Sequence, residues 1–452
     1  MLGQLSYDVV VVGAGLAGMN TAWLLADHGL NVLVLEARDR VGGRTHTRDV
    51  AGSTFDVGGQ WIGPSQPRLA ALAAKLGVAT HPTWHHGRKV IRIAGKRSTY
   101  GADIPSISLP NLVELQLMLK RIERLAAQVD PKRPWKTGNA ATLDAATVES
   151  WKQRTVFGKS ARAMVDLLIR SVWSAEPGEL SMLYLLHYAQ SAGGLERLFQ
   201  VDDGAQQAVF VGGAQQLSEG LAEAFGGTIR LEEPVRKIAY SDHAVSVSTE
   251  AATYQASRLV VAIPPVLAGR IAYEPGLPVA RDQLTQRMPM GATIKCLATY
   301  DTPFWRADGL SGEALSHDGV VSFVYDNTST DGTQPCLVAF VTGDRARNLS
   351  GRGDSAIQAA VVDDLTGLIG PGARHPREFI AFDWSAETWS GGCPVGLAAP
   401  GLLTSTGPAL RQPVGPIHWA GTETASQWCG YMEGALQSGE RAAREVIAAL
   451  AR

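Results

Sequence analysis

The spacing of apolar positions at the start of this chain predicts a strand, a helix and a second strand. Residues 7–12 end in four consecutive valines, a run typical of a strand that is buried on both faces of a parallel sheet. Residues 19–28 predict a helix that ends at Gly29, because glycine readily takes the left-handed conformation that closes a helix. Residues 31–35 follow as the second strand, which ends at Glu36. This order is that of a Rossmann-like unit.

The rest of the chain alternates between helical and strand-like spacing. Between residues 80 and 210, an apolar spacing of about 3.6 residues predicts helices at 112–129, 146–154, 160–171 and 180–192. Strand-like runs follow at 228–231, 235–240, 244–249, 259–263, 294–300, 336–342 and 417–419. A terminal helix is predicted from residue 432 to residue 451.

These elements predict an α/β protein with two domains, each assembled from separate segments. The chain has 452 residues, whereas a single hydrophobic core usually stops growing at roughly 250 to 300 residues. We expect residues 1–79, 211–288 and 390–452 to form a cofactor-binding domain. We expect residues 80–210 and 289–389 to form a substrate-binding domain.

Three glycines after the first predicted strand form the dinucleotide-binding pattern G-x-G-x-x-G. Gly13 permits a tight turn, Gly15 lets the backbone approach a pyrophosphate, and Gly18 allows the helix to pack closely on the strand. Glu36, about twenty residues further on, is placed to accept hydrogen bonds from a ribose diol. This pattern predicts a dinucleotide cofactor and leaves FAD and NAD both open.

The segment after the second predicted strand favours FAD. It contains Arg38 and then the step Gly42-Gly43, which Arg44 follows directly. A flexible Gly-Gly step next to a fixed cation suits a longer cofactor with two phosphates. We therefore predict FAD.

Composition and charge point to a small-molecule partner. The net charge is −2, and no basic stripe indicates nucleic-acid binding. The four cysteines lack the paired spacing of a zinc site and do not suggest a disulfide framework. No signal peptide is evident, and no apolar run approaches the roughly 18 to 20 residues of a membrane span. We expect a cytoplasmic protein without a membrane anchor.

The most specific motif lies near the C-terminus. Residues 418–435 read His-Trp-Ala-Gly-Thr-Glu-Thr-Ala-Ser-Gln-Trp-Cys-Gly-Tyr-Met-Glu-Gly-Ala, and their second glycine turn leads into a helix N-terminus that suits cofactor oxygens. This block resembles the C-terminal flavin signature of the flavin monoamine oxidases, and the resemblance extends over essentially the whole chain. It implies a discontinuous FAD-binding domain of the Rossmann-like, glutathione-reductase type and an α+β substrate domain. The cofactor-binding residues that it implies are Gly13, Gly15, Gly18, Glu36, Arg38, Gly43, Arg44, Gly59, Gln60, Trp61, Val235, Cys393, Glu423 and Met432.

The resemblance also implies roles for a lysine and a cysteine. Lys295, in Pro-Met-Gly-Ala-Thr-Ile-Lys-Cys, matches the lysine that holds a water against flavin N5 and assists reoxidation by oxygen. The alternative is a lysine that extends to solvent or pairs with an acid. Cys393, in Ser-Gly-Gly-Cys, matches the cysteine that forms a thioether to the flavin 8α-methyl in animal monoamine oxidases. Its alternative is a small buried hydrophobic residue.

The implied substrate pocket departs from the family at one position. In the family, two tyrosines form an aromatic sandwich that guides the amine towards the flavin. Tyr431 matches one of them, but Pro394, directly after Cys393, replaces the aromatic residue of the other. With one of these two aromatic walls missing, the pocket favours a bulkier or secondary amine, with Trp384 or Trp428 filling the space. The implied pocket residues are Val172, Leu198, Phe199, Gln206, Phe323, Pro394 and Tyr431. No arginine or acid stands at these positions, which argues against amino-acid and polyamine oxidases.

The resemblance implies that an amine with an α-hydrogen is oxidised to an imine, which hydrolyses to an aldehyde or ketone while O₂ becomes hydrogen peroxide. Lys295, Tyr431 and Trp384 form the expected catalytic set. The alternatives left open are a putrescine-type diamine oxidase, an oxidase of bulky cyclic amines, a dehydrogenase that uses a protein electron acceptor, and a non-catalytic flavoprotein. A homodimer is also compatible with the sequence.

Overall fold

The fold contains two large sheets, each packed against helices. A computed structural model describes residues 6–50, 52–101 and 105–451. The strands are β1 (Ser6–Val12), β2 (Val32–Leu35), β3 (Thr47–Val50), β4 (Ser53–Asp56), β5 (Trp61–Ile62), β6 (Thr80–Pro82), β7 (Arg88–Ile93), β8 (Lys96–Tyr100), β9 (Ala208–Phe210), β10 (Thr228–Arg230), β11 (Lys237–Tyr240), β12 (Val245–Ser248), β13 (Thr253–Val261), β14 (Ala272–Glu274), β15 (Thr293–Thr299), β16 (Leu310–Ser316), β17 (Phe323–Asp326), β18 (Cys336–Thr342), β19 (Phe379–Asp383) and β20 (Ile417–Trp419).

The helices share amphipathic or fully buried surfaces that pack on these strands and on one another. They are α1 (Leu16–Asp27), α2 (Pro67–Lys75), α3 (Leu109–Ala126), α4 (Ala140–Ala145), α5 (Val148–Thr155), α6 (Lys159–Trp173), α7 (Met182–Ser191), α8 (Gln216–Phe225), α9 (Pro265–Ala268), α10 (Val279–Gln286), α11 (Phe304–Ala307), α12 (Asp344–Leu349), α13 (Asp354–Leu368), α14 (Leu402–Thr406) and α15 (Met432–Leu450).

The first large sheet has eight strands and is parallel at its centre. Its order is β10-β2-β1-β13-β12-β11-β14, and β20 also pairs with β13. The pairs β1–β2, β1–β13 and β13–β20 are parallel, whereas β12 runs antiparallel to both of its neighbours. Helices α1, α8 and α15 cover one face through a shared apolar cluster. The carboxyl ends of β1 and β2 therefore meet at one edge, where α/β sheets bind ligands.

The second large sheet has seven strands in the order β19-β15-β18-β17-β16-β7-β8. Its central strands β15 and β18 are buried at every position. Helix α13 packs on one face, and helices α3, α5, α6 and α7 share a separate apolar core with Trp173 and Tyr188. The division of the chain into two domains at residues 79, 210, 288 and 389 remains a prediction.

The sequence analysis named only β15 and β18 of the seven strands in the second sheet. It missed β7 and β8 because residues 80–210 were expected to be mainly helical. Strands β7 and β8 form a hairpin in which Ile93 pairs with Lys96. The two loop residues, Ala94 and Gly95, have φ angles of 53° and 73°. Positive φ at both positions is the geometry of a type I′ turn, which matches the twist of a two-stranded ribbon. The Ala-Gly pair between two short β-rich runs was the available signal.

Other differences concern element ends. Helix α1 begins at Leu16, three residues before the predicted start, because Gly15 already has the extended conformation of an N-cap. Strand β11 begins at Lys237, so that Val235 precedes it. Strand β13 begins at Thr253, six residues before the predicted start, because its first half pairs with β12 in a hairpin. In the part of the chain that the structure describes, every helix is too short or too polar to traverse a lipid bilayer.

Candidate active site

A long cavity connects the edge of the first sheet with the second sheet and the helices beside it. It contains about 1630 Å³ of free space, part of which is open to solvent. Its walls include the turn after β1, the segment after β4, strands β15 and β17, and the N-terminal end of α15. Most of the residues that the sequence singled out line this cavity: Gly13, Gly15, Glu36, Arg38, Gly43, Arg44, Gly59, Gln60, Trp61, Val172, Leu198, Phe199, Gln206, Phe323, Lys295, Trp384, Cys393, Pro394, Tyr431 and Met432.

The glycine turn after β1 is packed too closely against its neighbours to accept side chains at Gly13 and Gly18. Gly13 has a φ of 99°, and a Cβ atom there would lie 2.7 Å from Cγ2 of Ile263. A Cβ atom on Gly18 would overlap the carbonyl oxygen of Gly13, so Gly18 serves the packing of α1 on the turn and does not line the cavity. Gly15 caps α1, whose first N–H groups have no intrahelical acceptors. A helix N-terminus of this kind binds phosphate.

Glu36 fixes the segment that follows β2. Its Oε2 accepts a hydrogen bond from the Ala14 amide (2.7 Å), and its Oε1 accepts one from the Arg38 amide (3.0 Å). The Arg38 guanidinium donates to Oγ of Ser390 (2.8 Å) and to Glu387. Its Nε is buried and has no hydrogen-bond partner among the described residues. A buried donor without an acceptor indicates a group that the protein atoms alone do not supply.

Arg44 and Glu423 form a buried ion pair that joins three distant segments. Arg44 Nη1 and Nη2 donate to Glu423 Oε1 (2.6 Å) and Oε2 (3.1 Å), and Nη1 also donates to the carbonyl of Pro394 (2.8 Å). The Glu423 side chain is fully buried. Burial raises the pKa of Glu423, but the charge and hydrogen bonds of Arg44 outweigh burial and hold that pKa below its usual value. Glu423 does not line the cavity; it acts there through Arg44.

Lys295 neither extends to solvent nor forms a salt bridge with any residue that the structure describes. It is only 2% exposed, and its Nζ donates to the carbonyl of Gly58 (2.9 Å) and to Oε1 of Gln60. The rings of Trp61 and Phe340 lie 5.7 and 5.5 Å from Nζ, within cation–π range. Burial lowers the pKa of Lys295 to about 8. The ammonium is therefore held by neutral groups beside the cavity.

Cys393 and Trp384 lie on the same wall. The Cys393 amide donates to the carbonyl of Gly291 (2.9 Å), and its own carbonyl accepts from Oγ1 of Thr293 (2.9 Å), so the backbone is fixed on both sides. Burial raises the pKa of the Cys393 thiol to about 11, although Arg44 and Lys295 oppose the rise. The indole of Trp384 is buried and donates to the carbonyl of Val57 (2.8 Å).

Tyr431 stands at the N-cap of α15 and presents its ring to the cavity. Its hydroxyl donates to the carbonyl of Leu198 (3.0 Å). Its ring packs edge-on against Trp428, with centroids 5.0 Å apart, and Tyr188 lies 6.0 Å away. Burial raises the pKa of Tyr431, so its hydroxyl stays protonated at neutral pH. Trp428 supports Tyr431 from behind and does not line the cavity.

The remaining pocket residues form an apolar slot with one amide. Phe323 stacks on Phe340 with a centroid distance of 4.4 Å and an interplanar angle of 18°. Gln206 donates from Nε2 to the carbonyl of Leu198 (3.0 Å), whereas its Oε1 is buried without a partner in the described ranges. Lining residues that the sequence analysis did not single out include Ser171, Ser174, Tyr188, Tyr325, Phe340 and Trp389.

Val235 is, like Gly18 and Glu423, a predicted cofactor-binding residue that does not belong to the cavity walls. It is partly buried against the apolar cluster on the other face of the first sheet and does not line the cavity. Its predicted contact with the cofactor therefore remains a prediction.

Comparison with known proteins identifies relatives over nearly the whole chain. A family model described as flavin containing amine oxidoreductase matches residues 16–447. A probable flavin-containing monoamine oxidase A of Dictyostelium discoideum is 42% identical over 443 residues, which cover 97% of each chain.

Two solved structures share the fold throughout. Cyclohexylamine oxidase from Brevibacterium oxydans IH-35A has a TM-score of 0.94 and 36% identity, covering 99% of this chain and 100% of its own. Wild-type putrescine oxidase bound to putrescine has a TM-score of 0.94 and 34% identity, covering 98% of this chain and 99% of its own.

Proposed function

Because the chain belongs to the flavin-containing amine oxidoreductases, we propose that its substrate is an apolar monoamine. The family assignment makes the protein an FAD-dependent enzyme that deaminates amines oxidatively, with O₂ as the electron acceptor. The proposal concerns the class of amine and the residues that receive it.

The cavity fits FAD. The glycine turn at Gly13 and the N-terminus of α1 offer amides to a pyrophosphate, and Arg38, whose Nε has no partner among the described residues, also lines the cavity. Glu36 and Arg44 would hold the ribose and the far part of the cofactor. When bound, FAD would supply the redox chemistry: a hydride equivalent would leave the α-carbon and a proton the amine nitrogen, giving the imine, and the two electrons and two protons would pass to O₂ as hydrogen peroxide.

One observation carries the choice of a monoamine. Of the cavity-lining residues in the described ranges, Glu36 is the only carboxylate, and its oxygens already accept the amides of Ala14 and Arg38. The slot around Phe323 and Phe340 is apolar. The second ammonium of a diamine would be buried there without an anionic partner, which costs several kcal/mol unless the group loses its proton.

Tyr431 and Pro394, at the proposed amine position, favour a bulky substituent. Tyr431 is held by Leu198 and Trp428 and offers a fixed aromatic wall. Pro394 lines the same cavity with a much smaller side chain than the aromatic residue that the family pattern leads one to expect. We propose that the space beside Pro394 receives a ring-sized apolar group, as in cyclohexylamine or phenethylamine. Cyclohexylamine oxidase, 36% identical, supports this choice.

The proposed roles of the other residues follow from their chemistry. Tyr431 orients the neutral amine, and Trp384 closes the wall beside Cys393. The Lys295 ammonium assists reoxidation, because a fixed positive charge stabilises the negative charge that develops on O₂ as it accepts electrons. A thioether at Cys393, a homodimer and a cytoplasmic location remain predictions.

The experiment is peroxide release by the purified holoenzyme in air with cyclohexylamine, phenethylamine and putrescine. We expect kcat/KM for either monoamine to exceed that for putrescine by at least about a hundredfold, the penalty for an unpaired buried charge. Gln206→Glu, which places a carboxylate in the slot, should narrow this ratio. Peroxide with putrescine alone would overturn the proposal. Reduction of a dye by cyclohexylamine without peroxide would instead reassign the electron acceptor.

A further inference from the structure

Asp56 is a buried carboxylate that no part of the proposed reaction uses. It ends β4, is 6% exposed, and lies two residues before Gly58, whose carbonyl binds Lys295. Its Oδ1 accepts a hydrogen bond from Oγ1 of Thr47 (2.6 Å), and both oxygens lie 3.0 Å from the Ala214 amide. These donors are neutral, and the described residues provide no salt bridge to Asp56.

The hydrogen bonds of Asp56 attach the segment after β4 to the start of α8. The Thr47 amide donates to Oε1 of Gln215 (2.9 Å), and the Gln215 amide donates back to Oγ1 of Thr47 (3.2 Å). Gly213 brings the turn close, since a Cβ atom there would lie 3.0 Å from Oδ1 of Asp56. Asp56 is therefore held by the Thr47 hydroxyl and the Ala214 backbone amide, which belong to two different segments.

The segment from Asp56 to Gln60 also binds the Lys295 ammonium. Gly58 contributes its carbonyl and Gln60 its amide oxygen, while the Gln60 Nε2 donates to Oδ1 of Asn327 (2.8 Å). The Val57 carbonyl accepts from Trp384. Movement of Asp56 would shift both acceptors of Lys295, because they lie within four residues of it.

We propose that Asp56 is the positioning residue for Lys295: its carboxylate supplies the negative charge that keeps the ammonium protonated and fixes the segment that binds it. The proposal rests on the role proposed above for Lys295 in reoxidation. Burial raises the pKa of Asp56 to about 6, and Lys295 is the main opposing influence. Burial lowers the pKa of Lys295 to about 8, and Asp56 is the main influence that raises it. Between these values both groups are charged.

The charged and titratable neighbours of the pair are few. Among the described residues, Lys295 is the only charged group that shifts the pKa of Asp56. Cys393 and Cys336 act on Lys295, and Glu219 accepts a hydrogen bond from Gln215, which belongs to the Thr47 network. Both thiols have raised pKa values because they are buried, so they are neutral at pH 8. Asp56 is thus the carboxylate whose charge acts on Lys295.

The first test is the rate at which O₂ reoxidises the reduced holoenzyme between pH 6 and pH 10. In the wild type this rate should fall as Lys295 loses its proton. Asp56→Asn preserves the shape and acceptor oxygen of the side chain but removes its charge, so the midpoint should move down by about one pH unit. The matched control is Asp144→Asn, since Asp144 is also fully buried and bonds only to neutral groups of Thr404. Its profile should match the wild type.

Two outcomes of this test would overturn the proposal. One is an Asp56→Asn profile that superimposes on the wild type. The other is an equal shift in Thr47→Val, which removes a donor to Asp56 but keeps both charges and would assign the effect to the hydrogen bond. Reduction by saturating cyclohexylamine should change by less than about twofold in Asp56→Asn, because saturation removes any effect of the Lys295 charge on amine binding.

A second test uses stability and does not depend on turnover. Since the folded-state pKa of Asp56 is raised above its usual value, its ionisation opposes folding as the pH rises through about 6. The gain in Tm of Asp56→Asn over its parent should therefore grow from about pH 4 to about pH 7 and stay level above that. The gain should be larger in the Lys295→Met background, where no cation compensates Asp56.

Equal gains in the two backgrounds would show that the groups are not coupled and would overturn the proposal. The outcomes also separate the proposed role of Lys295 in reoxidation from its proposed coupling to Asp56. If Lys295→Met is reoxidised as fast as the wild type at every pH, the role proposed for Lys295 in reoxidation fails. The stability cycle still reports whether Asp56 and Lys295 interact.

Discussion

Replacement of Arg44 by methionine should destabilise the protein in a pH-dependent way, because it leaves the Glu423 carboxylate buried without its cation. The two side chains share hydrogen bonds of 2.6 and 3.1 Å, and Glu423 has no exposed surface. Loss of one partner from a buried pair costs about 3–5 kcal/mol. At roughly 2–4 °C per kcal/mol for a large domain, Tm should fall by about 6–20 °C.

The loss of stability in Arg44→Met should depend on pH, because Arg44 determines the direction in which the pKa of Glu423 is shifted. In the wild type, Arg44 holds the pKa of Glu423 below its unfolded value, so the pair stabilises the protein above that value and loses its effect as the pH falls. Without Arg44, burial alone raises the pKa of Glu423, and protonation then favours the folded state. The Tm difference between the wild type and Arg44→Met should therefore shrink from pH 8 to pH 5.5.

The assay is thermal unfolding of the FAD-free proteins at both pH values, so that cofactor affinity does not enter. Arg133→Met is the control, since Arg133 pairs with Asp130 on the surface and should change stability by less than about 1 kcal/mol. Arg44→Met/Glu423→Met should recover part of the lost stability, because it removes the unpaired charge. A Tm deficit that is the same at pH 8 and pH 5.5 would refute the argument.

Three further predictions concern the cofactor turn, the cysteine and the tyrosine. Gly18→Ala should lower stability by more than about 3 kcal/mol in thermal unfolding because its Cβ overlaps the Gly13 carbonyl, whereas Gly178→Ala, with open space around it, should be nearly neutral. If Cys393 forms the thioether, acid precipitation will retain flavin in the wild-type pellet and release it from Cys393→Ala; free flavin from both contradicts a covalent bond. Tyr431→Phe removes the hydrogen bond to Leu198, worth about 1 kcal/mol, so kcat/KM for cyclohexylamine should fall about fivefold, and a loss beyond a hundredfold would assign the hydroxyl a chemical role.

The sequence was sufficient for features that depend on local backbone chemistry. Strands β18 and β20 have the predicted bounds, and α15 begins at Met432 as expected. The Gly13–Gly18 turn could be predicted because tight turns and close helix packing demand glycine at fixed spacing. The family resemblance then identified most of the cavity wall, which composition and periodicity alone would not have done.

Contacts between distant segments could not be predicted. Tyr188 lines the cavity, but nine of the ten residues of α7 are buried, so the apolar pattern does not distinguish the face that meets a ligand. The acceptors of the Lys295 ammonium are separated from it by more than 230 residues. The sequence therefore could not show whether neutral groups or a carboxylate bind it. Asp56 had no motif of its own beyond the start of a glycine-rich segment.

The distribution of charge in the cavity predicts a preference for neutral amine. Glu36 is occupied by two backbone amides, and Arg44 is neutralised by Glu423. Lys295 remains as a cation held by neutral acceptors, and the slot contributes aromatic and aliphatic surface. A protonated amine would meet like charge and lose its hydration without compensation. If Lys295 assists O₂ as proposed, the same charge should also make the substrate enter as the free base.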